Sequence, residues 1–164
     1  MSKLQDSGNA GALSHLHIIE LGDIPASYAA RALGDLGADI IKIEPPGGDP
    51  NRLLPPFAAN IEDRERSLTF INANTNKRSI VLDLLGSSVD RGIFTRLLAW
   101  AHLFIEATPV GDLEGLGFTD ENLKETNPAL VIVSLTPFGR TGPYRRYKGS
   151  DAVANASGGF LFGQ

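Results

Sequence analysis

Apolar positions recur along this chain with two alternating periods. From Leu16 to Leu21 the run "LHIIEL" is short, apolar and β-branched, which predicts a buried strand. The period then changes. In "SYAARALGDLG" residues Ala29, Ala32, Leu33 and Leu36 share one helical face, with Ser27 as the expected N-cap and Gly37 as the left-handed stop. "DIIKIE", Asp39 to Glu44, predicts a second strand, closed by "PPGGDP" because proline cannot continue a ladder and glycine supplies turns. An irregular stretch is expected from there to about Glu65.

The alternation resumes at "SIVLDL", Ser79 to Leu84, a third strand. A helix over "SSVDRGIFTRLLAWA" follows, with Val89, Ile93, Phe94, Leu97, Leu98 and Ala101 as its apolar stripe. "HLFIEA" predicts the fourth strand. "FTDENLKETNP" carries Thr119 as N-cap, Phe118 placed to staple against Leu123, and Asn127-Pro128 as a stop. "ALVIVSL", Ala129 to Leu135, is the fifth and most apolar strand. Strand and helix in repetition predict an α/β fold, a mostly parallel sheet with helices on both faces. In such sheets ligands bind beyond the carboxyl ends of the strands. The loops after Leu21, Glu44, Leu84, Glu106 and Leu135 are therefore the ones to read for chemistry.

Composition narrows the possibilities. The 164 residues suit one core, and no apolar run approaches the about 20 residues of a membrane-spanning helix. A net charge of -4 disfavours nucleic-acid or anionic-membrane binding, so any anion site must be local. With no cysteine there is no disulfide, thiolate ligand or cysteine nucleophile, which fits a reducing compartment. Residues 1–14 read as a flexible tail on a cytoplasmic protein, and residues 15–164 as the folded domain.

"GDIPAS", after the first strand, has the position of a nucleotide loop without the Gly-x-Gly-x-x-Gly spacing. The helix it opens still offers backbone N–H groups to a phosphate, as any helix does. In "NANTNKRS" Lys77 and Arg78 suit phosphates; the other reading is a solvated strand entrance or pairing with carboxylates of the fold. "SLTPFGRTGPYRRYKGSDA" sets Arg140, Arg145, Arg146 and Lys148 beside Phe138, Tyr144 and Tyr147. This mixture suits a phosphorylated ligand with a flat ring, such as an adenine nucleotide, or a solvated surface loop. His15, His17 and His102 lack the spacing of a metal cluster, so no metal site is expected. Asp23, Glu44, Asp83, Glu106 and Asp151 lie near strand ends without a readable acid or base assignment.

Five segments, "LGADIIKIEPPGGDP", "NKRSIVLDL", "GDLEGLGFTDENLKETNPAL", "VSLTPFGRTGPY" and "GSDAVANASGG", resemble in order and spacing the family III CoA-transferases (CaiB/BaiF). That group includes formyl-CoA transferase, carnitine CoA-transferase and alpha-methylacyl-CoA racemase. The resemblance runs from about Leu16 to the end. It implies a Rossmann-like domain that binds coenzyme A or acyl-CoA as substrate, with no permanently bound cofactor, in an interlocked dimer or with a partner chain. It implies an aspartate nucleophile that moves CoA from a thioester to a carboxylic acid through anhydride and thioester intermediates. By motif, the resemblance implies CoA contacts at Ile24, Pro25, Ala26, Pro45, Leu82, Ala107, Thr108, Leu116 and Thr136.

Some positions depart from the family pattern. Pro45 and Gly115 stand where relatives carry arginines, leaving Arg140 or the pair Arg145 and Arg146 to compensate. Ser150 replaces the histidine of racemase-like members, which disfavours a racemase. Asp151 matches a Gly-x-Asp step that precedes the nucleophile, so the catalytic aspartate is expected beyond Gln164 and the chain reads as the N-terminal portion of the large domain. The reading from another class is a non-catalytic CoA- or nucleotide-binding module or assembly subunit.

Overall fold

The computed structural model describes residues 11–160, so most of the expected tail and residues 161–164 lie outside the described residues. Residues 11–14 are not a tail. The Leu13 N–H donates to the Leu36 carbonyl at 3.0 Å, and the Leu13 side chain packs against a buried cluster.

Five strands form one parallel sheet: β1 (His17–Gly22), β2 (Asp39–Glu44), β3 (Arg78–Val81), β4 (Leu103–Ala107) and β5 (Val131–Ser134), in the order β3-β2-β1-β4-β5. The helices are α1 (Ile24–Gly34), α2 (Leu68–Ala73), α3 (Ser88–Trp100), α4 (Asp112–Gly115), α5 (Asp120–Thr126) and α6 (Asp151–Ser157). Register places Ile18 opposite Ile40 and Leu103, and Ile19 opposite Ile41 and Phe104. Because side chains alternate across a strand, this divides the core into two layers. Ile18, Ile40 and Ile105 meet Ala26 and Ala30 of α1 on one face. Ile19, Ile43 and Phe104 meet Phe94 and Leu98 of α3 and Leu123 of α5 on the other. The Phe94 ring sits edge-on to Phe104 and Phe118, with centroids 5.7 and 4.9 Å away.

Helix α1 starts earlier than its pattern predicts. Asp23, not Ser27, is the N-cap, its carboxylate accepting from the Ile24 N–H at 2.7 Å, and Pro25 occupies the first turn, where a missing N–H costs nothing. Ser27 is buried within the helix and donates its hydroxyl to Glu20. Thr119 does cap α5, and Phe118 and Leu123 share one cluster, as the staple requires. The stretch before Glu65 is not wholly irregular, for it holds two 3-10 turns, at Pro50–Leu53 and Ala58–Asn60. Just beyond it, α2 was not legible in the pattern. It is six residues long, and it is held by the Ser67 cap, by burial of Phe70 and Ala73, and by the Arg52 guanidinium 3.9 Å over the Phe70 ring.

Strand β5 is shorter than expected and its apolar residues are not all buried. Val131 and Val133 are 56% and 36% exposed, because they lie at the sheet edge on the α1 face, which α1 does not reach across to cover. Among the described residues no helix is long and apolar enough to cross a membrane.

Candidate functional site

The chain leaves β1 toward β2 on one side of the sheet, whereas β4 and β5 extend it on the other. The strand order thus reverses between β1 and β4, and a crevice opens where their connections diverge. A cleft of about 1090 Å³ lies there, beyond the carboxyl ends of the strands. Gly22 forms its floor, with φ +100° and an imaginary Cβ 2.6 Å from the Ala107 carbonyl oxygen. Only glycine fits this close approach at that backbone angle. Gly22→Ala is expected to cost about 2 kcal/mol, a drop in melting midpoint of roughly 4–8 °C by calorimetry.

Of the positions singled out in the sequence, Pro25, Pro45, Leu82, Ala107, Thr108, Leu116 and Thr136 line the cleft. Ile24 and Ala26 do not: Ala26 is fully buried against the sheet, and Ile24 sits half-buried in the first turn of α1. Arg140 is also off the cleft. Its guanidinium is committed to Glu114, to Asp120 at 3.1 Å and to the Ser134 hydroxyl at 3.1 Å. Lys77 and Arg78 are not phosphate grips either, since Lys77 lies 2.6 Å from Glu20 and Arg78 forks onto Asp39. Nor is the start of α1 open to an anion. Asp23 takes the Ile24 N–H with its side chain and those of Ala26 and Ser27 with its carbonyl, and Pro25 has no N–H.

Beneath one wall lies a buried charged network that the pattern reading missed. Glu20 and Lys42 are register partners on β1 and β2, 0% and 2% exposed. The Lys42 ammonium donates to Glu20 at 2.8 Å and to the Ser27 hydroxyl at 3.1 Å, and lies 2.8 Å from Asp49. Two lysines, Lys42 and Lys77, face two carboxylates, Glu20 and Asp49, so the set balances. Burial alone would lower the Lys42 pKa, but Glu20 and Asp49 overcome it and the pKa is raised. For Lys77 burial prevails over Glu20, and its pKa is lowered. Asp49 in turn accepts from the Asn51 N–H, and the Asn51 amide donates to Asp23 at 2.9 Å. The loops after β1 and β2, both cleft walls, are thereby tied into one piece. The available signal was a charged residue in the middle of each of two otherwise apolar strands, which a buried setting tolerates only when paired.

Beside this network, Glu44 accepts a two-pronged contact from Arg52, at 2.8 and 2.9 Å, the Asp49 N–H at 2.8 Å, and the Ser79 hydroxyl. The Arg52 bonds lead in holding its pKa down, from 4.5 to about 2, against the effect of burial. Glu106 turns back on its own loop to accept from the Thr108 N–H and hydroxyl. Asp151 opens α6, exposed and outside the cleft lining. Among the described residues no cluster of three or more His, Asp or Glu is placed to hold a metal.

A parallel sheet in this order, with an apolar cleft at its switch point and Arg145, Arg146 and Lys148 in the cleft lining, is a Rossmann-like α/β domain with its cleft where such sheets take ligands. The chain belongs to CoA-transferase family III, whose model matches residues 13–164. It is 38% identical over 149 residues to succinyl-CoA:(R)-benzylsuccinate CoA-transferase subunit BbsE of Thauera aromatica, covering 91% of this chain and 36% of that one. It is 36% identical over 156 residues to succinyl-CoA:mesaconate CoA-transferase of Haloarcula hispanica, covering 92% and 39%. The crystal structure of a CAIB/BAIF family protein from Brucella suis matches with a TM-score of 0.82 and 35% identity, over 92% of this chain and 40% of that one. The chain thus spans between 36% and 40% of the length of these relatives.

Proposed function

We propose that this chain forms the CoA-binding part of a family III CoA-transferase, which moves CoA between an acyl-CoA thioester and a carboxylic acid. The observation that carries the reading is the cleft at the β1–β4 switch point, lined by seven of the positions that the family motifs mark. Its apolar walls, among them Pro25, Pro45, Leu82 and Leu116, suit the pantetheine arm of CoA, and its mouth opens beside cationic side chains. The names of the relatives support transfer over racemisation or a purely binding role.

In this reading an aspartate outside these residues attacks the thioester carbonyl and releases the CoA thiolate, forming a mixed anhydride. The thiolate then attacks the aspartyl carbonyl, freeing the first acid, and the acceptor carboxylate reverses both steps. Asp151 does not fill that role here, because it does not line the cleft. The cysteine-free composition supports a cytoplasmic setting. The uncovered Val131 and Val133 of β5 support assembly with a second copy or a companion chain.

The test is a titration with CoA read by urea denaturation. At a CoA concentration about 100 times Kd, stability should rise by about 2.7 kcal/mol. A denaturation midpoint that does not move in millimolar CoA overturns the assignment.

A further inference from the structure

We propose that the loop Pro137 to Gly149 is the phosphate subsite of this cleft, with Arg145, Arg146 and Lys148 holding the phosphates of the nucleotide end of CoA. The inference rests on the cleft being a CoA site, and it assigns the anionic end of that ligand to one loop. The first observation is what the cations around the buried network, and those that the sequence offers to a phosphate, do. Lys42, Arg52, Lys77, Arg78 and Arg140 are all bound to carboxylates, and the start of α1 has its N–H groups engaged. Arg145, Arg146 and Lys148 line the cleft and form no ion pair among the described residues; Arg145 makes one bond, to the Gly142 carbonyl at 3.2 Å.

The second observation is that the loop is built rather than slack. Its two ends meet, for a Cβ on Gly149 would stand 2.2 Å from Pro137 Cβ. Gly139 and Gly142 turn the chain at φ +78° and +86°. Within the loop three aromatic rings come together: the Phe138 centroid lies 6.3 Å from those of both Tyr144 and Tyr147, and the two tyrosine centroids are 5.2 Å apart. A surface loop closed at its ends, with its aromatic rings against one another, restricts where its outward residues stand. Here those residues are two guanidinium forks and an ammonium, suited to phosphate oxygens. At the root of the loop the Thr136 hydroxyl is buried without a partner among the described residues, and Thr136 lines the cleft.

CoA affinity should be measured by calorimetry on the wild-type chain, on Arg145→Gln/Arg146→Gln, and on Arg96→Gln, which removes an exposed charge outside the cleft lining. The double variant is expected to bind CoA 10- to 100-fold more weakly and to lose much of the salt dependence. Adenosine 3′,5′-bisphosphate should compete with CoA in the wild type and fail to do so in the double variant. All three residues are exposed, so the melting midpoint should hold, and Arg145→Lys/Arg146→Lys, which keeps the charge, should recover part of the affinity. If wild type binds CoA and the double variant stays within twofold, the subsite is wrong while the cleft assignment stands. An equal loss in Arg96→Gln means net charge rather than a site, and also overturns the subsite. If the wild type binds no CoA, the cleft assignment and the subsite fall together.

Discussion

Lys42→Met is expected to lower the stability of the folded chain by about 3–5 kcal/mol, the usual cost of breaking a buried ion network from one side. Methionine nearly matches the length of lysine, so the loss does not come from a cavity. It comes from stranding charge: Asp49, 4% exposed, keeps the Asn51 N–H but no cation, and Glu20 keeps the Ser27 hydroxyl and one cation, Lys77, in place of two. Against a total of about 5–15 kcal/mol for a domain, this is a large fraction. Urea denaturation at pH 7 would measure it. The double variant Lys42→Met/Asp49→Asn removes one stranded carboxylate and should recover part of the loss, showing a favourable coupling in a double-mutant cycle. A single-variant cost below about 1 kcal/mol would mean that the network is not what holds these loops together.

The second large effect is expected in acid. Glu44 has its folded pKa lowered from 4.5 to about 2, chiefly by Arg52. Between these values the unfolded chain binds more protons than the folded one, so stability falls as pH falls. The contribution of Glu44 is fully present above about pH 4.5 and is lost by about pH 2, an amount of about 3 kcal/mol for a side chain 2% exposed. Glu44→Gln should therefore be less stable than wild type at pH 7 by about that amount, and should lose its own share of the decline between pH 4.5 and 2. A wild-type stability profile that matches Glu44→Gln across this window would rule out the Arg52 bond as the cause. Since Arg52 also lies over Phe70 and reaches Glu65, the same residue links the β2 end, α2 and the loop between them.

Much of this molecule is legible in its sequence because it depends on local rules. The short β-branched runs around Ile18–Ile19, Ile40–Ile41 and Phe104–Ile105, bounded by turn residues, read as strands of a covered sheet, and Thr119 and Phe118 marked the start of α5 by their spacing. The loops after those strands were also identifiable as the place of the site, since parallel sheets leave their crevice at the carboxyl ends. Helix α2 was not legible, because six residues carry too little periodicity and its stability comes from contacts to Arg52 and the β2 loop. The cap of α1 was misplaced because serine serves both caps and buried hydrogen bonds. Its neighbour Glu20, seven positions away, decided which.

The sequence by itself determined the parallel α/β architecture, the loops that line the cleft and the family, since these follow from periodicity, turn chemistry and motif order along one dimension. Only the tertiary structure decided which charges are paired with carboxylates and which are not. Lys42 finds Glu20 across 22 positions and Lys77 reaches the Ser27 carbonyl across 50, whereas Arg145 and Arg146 find no carboxylate among the described residues. A lysine or arginine reads the same in a sequence whether it is neutralised or free. The difference lies in which residues the sheet order brings within hydrogen-bond reach.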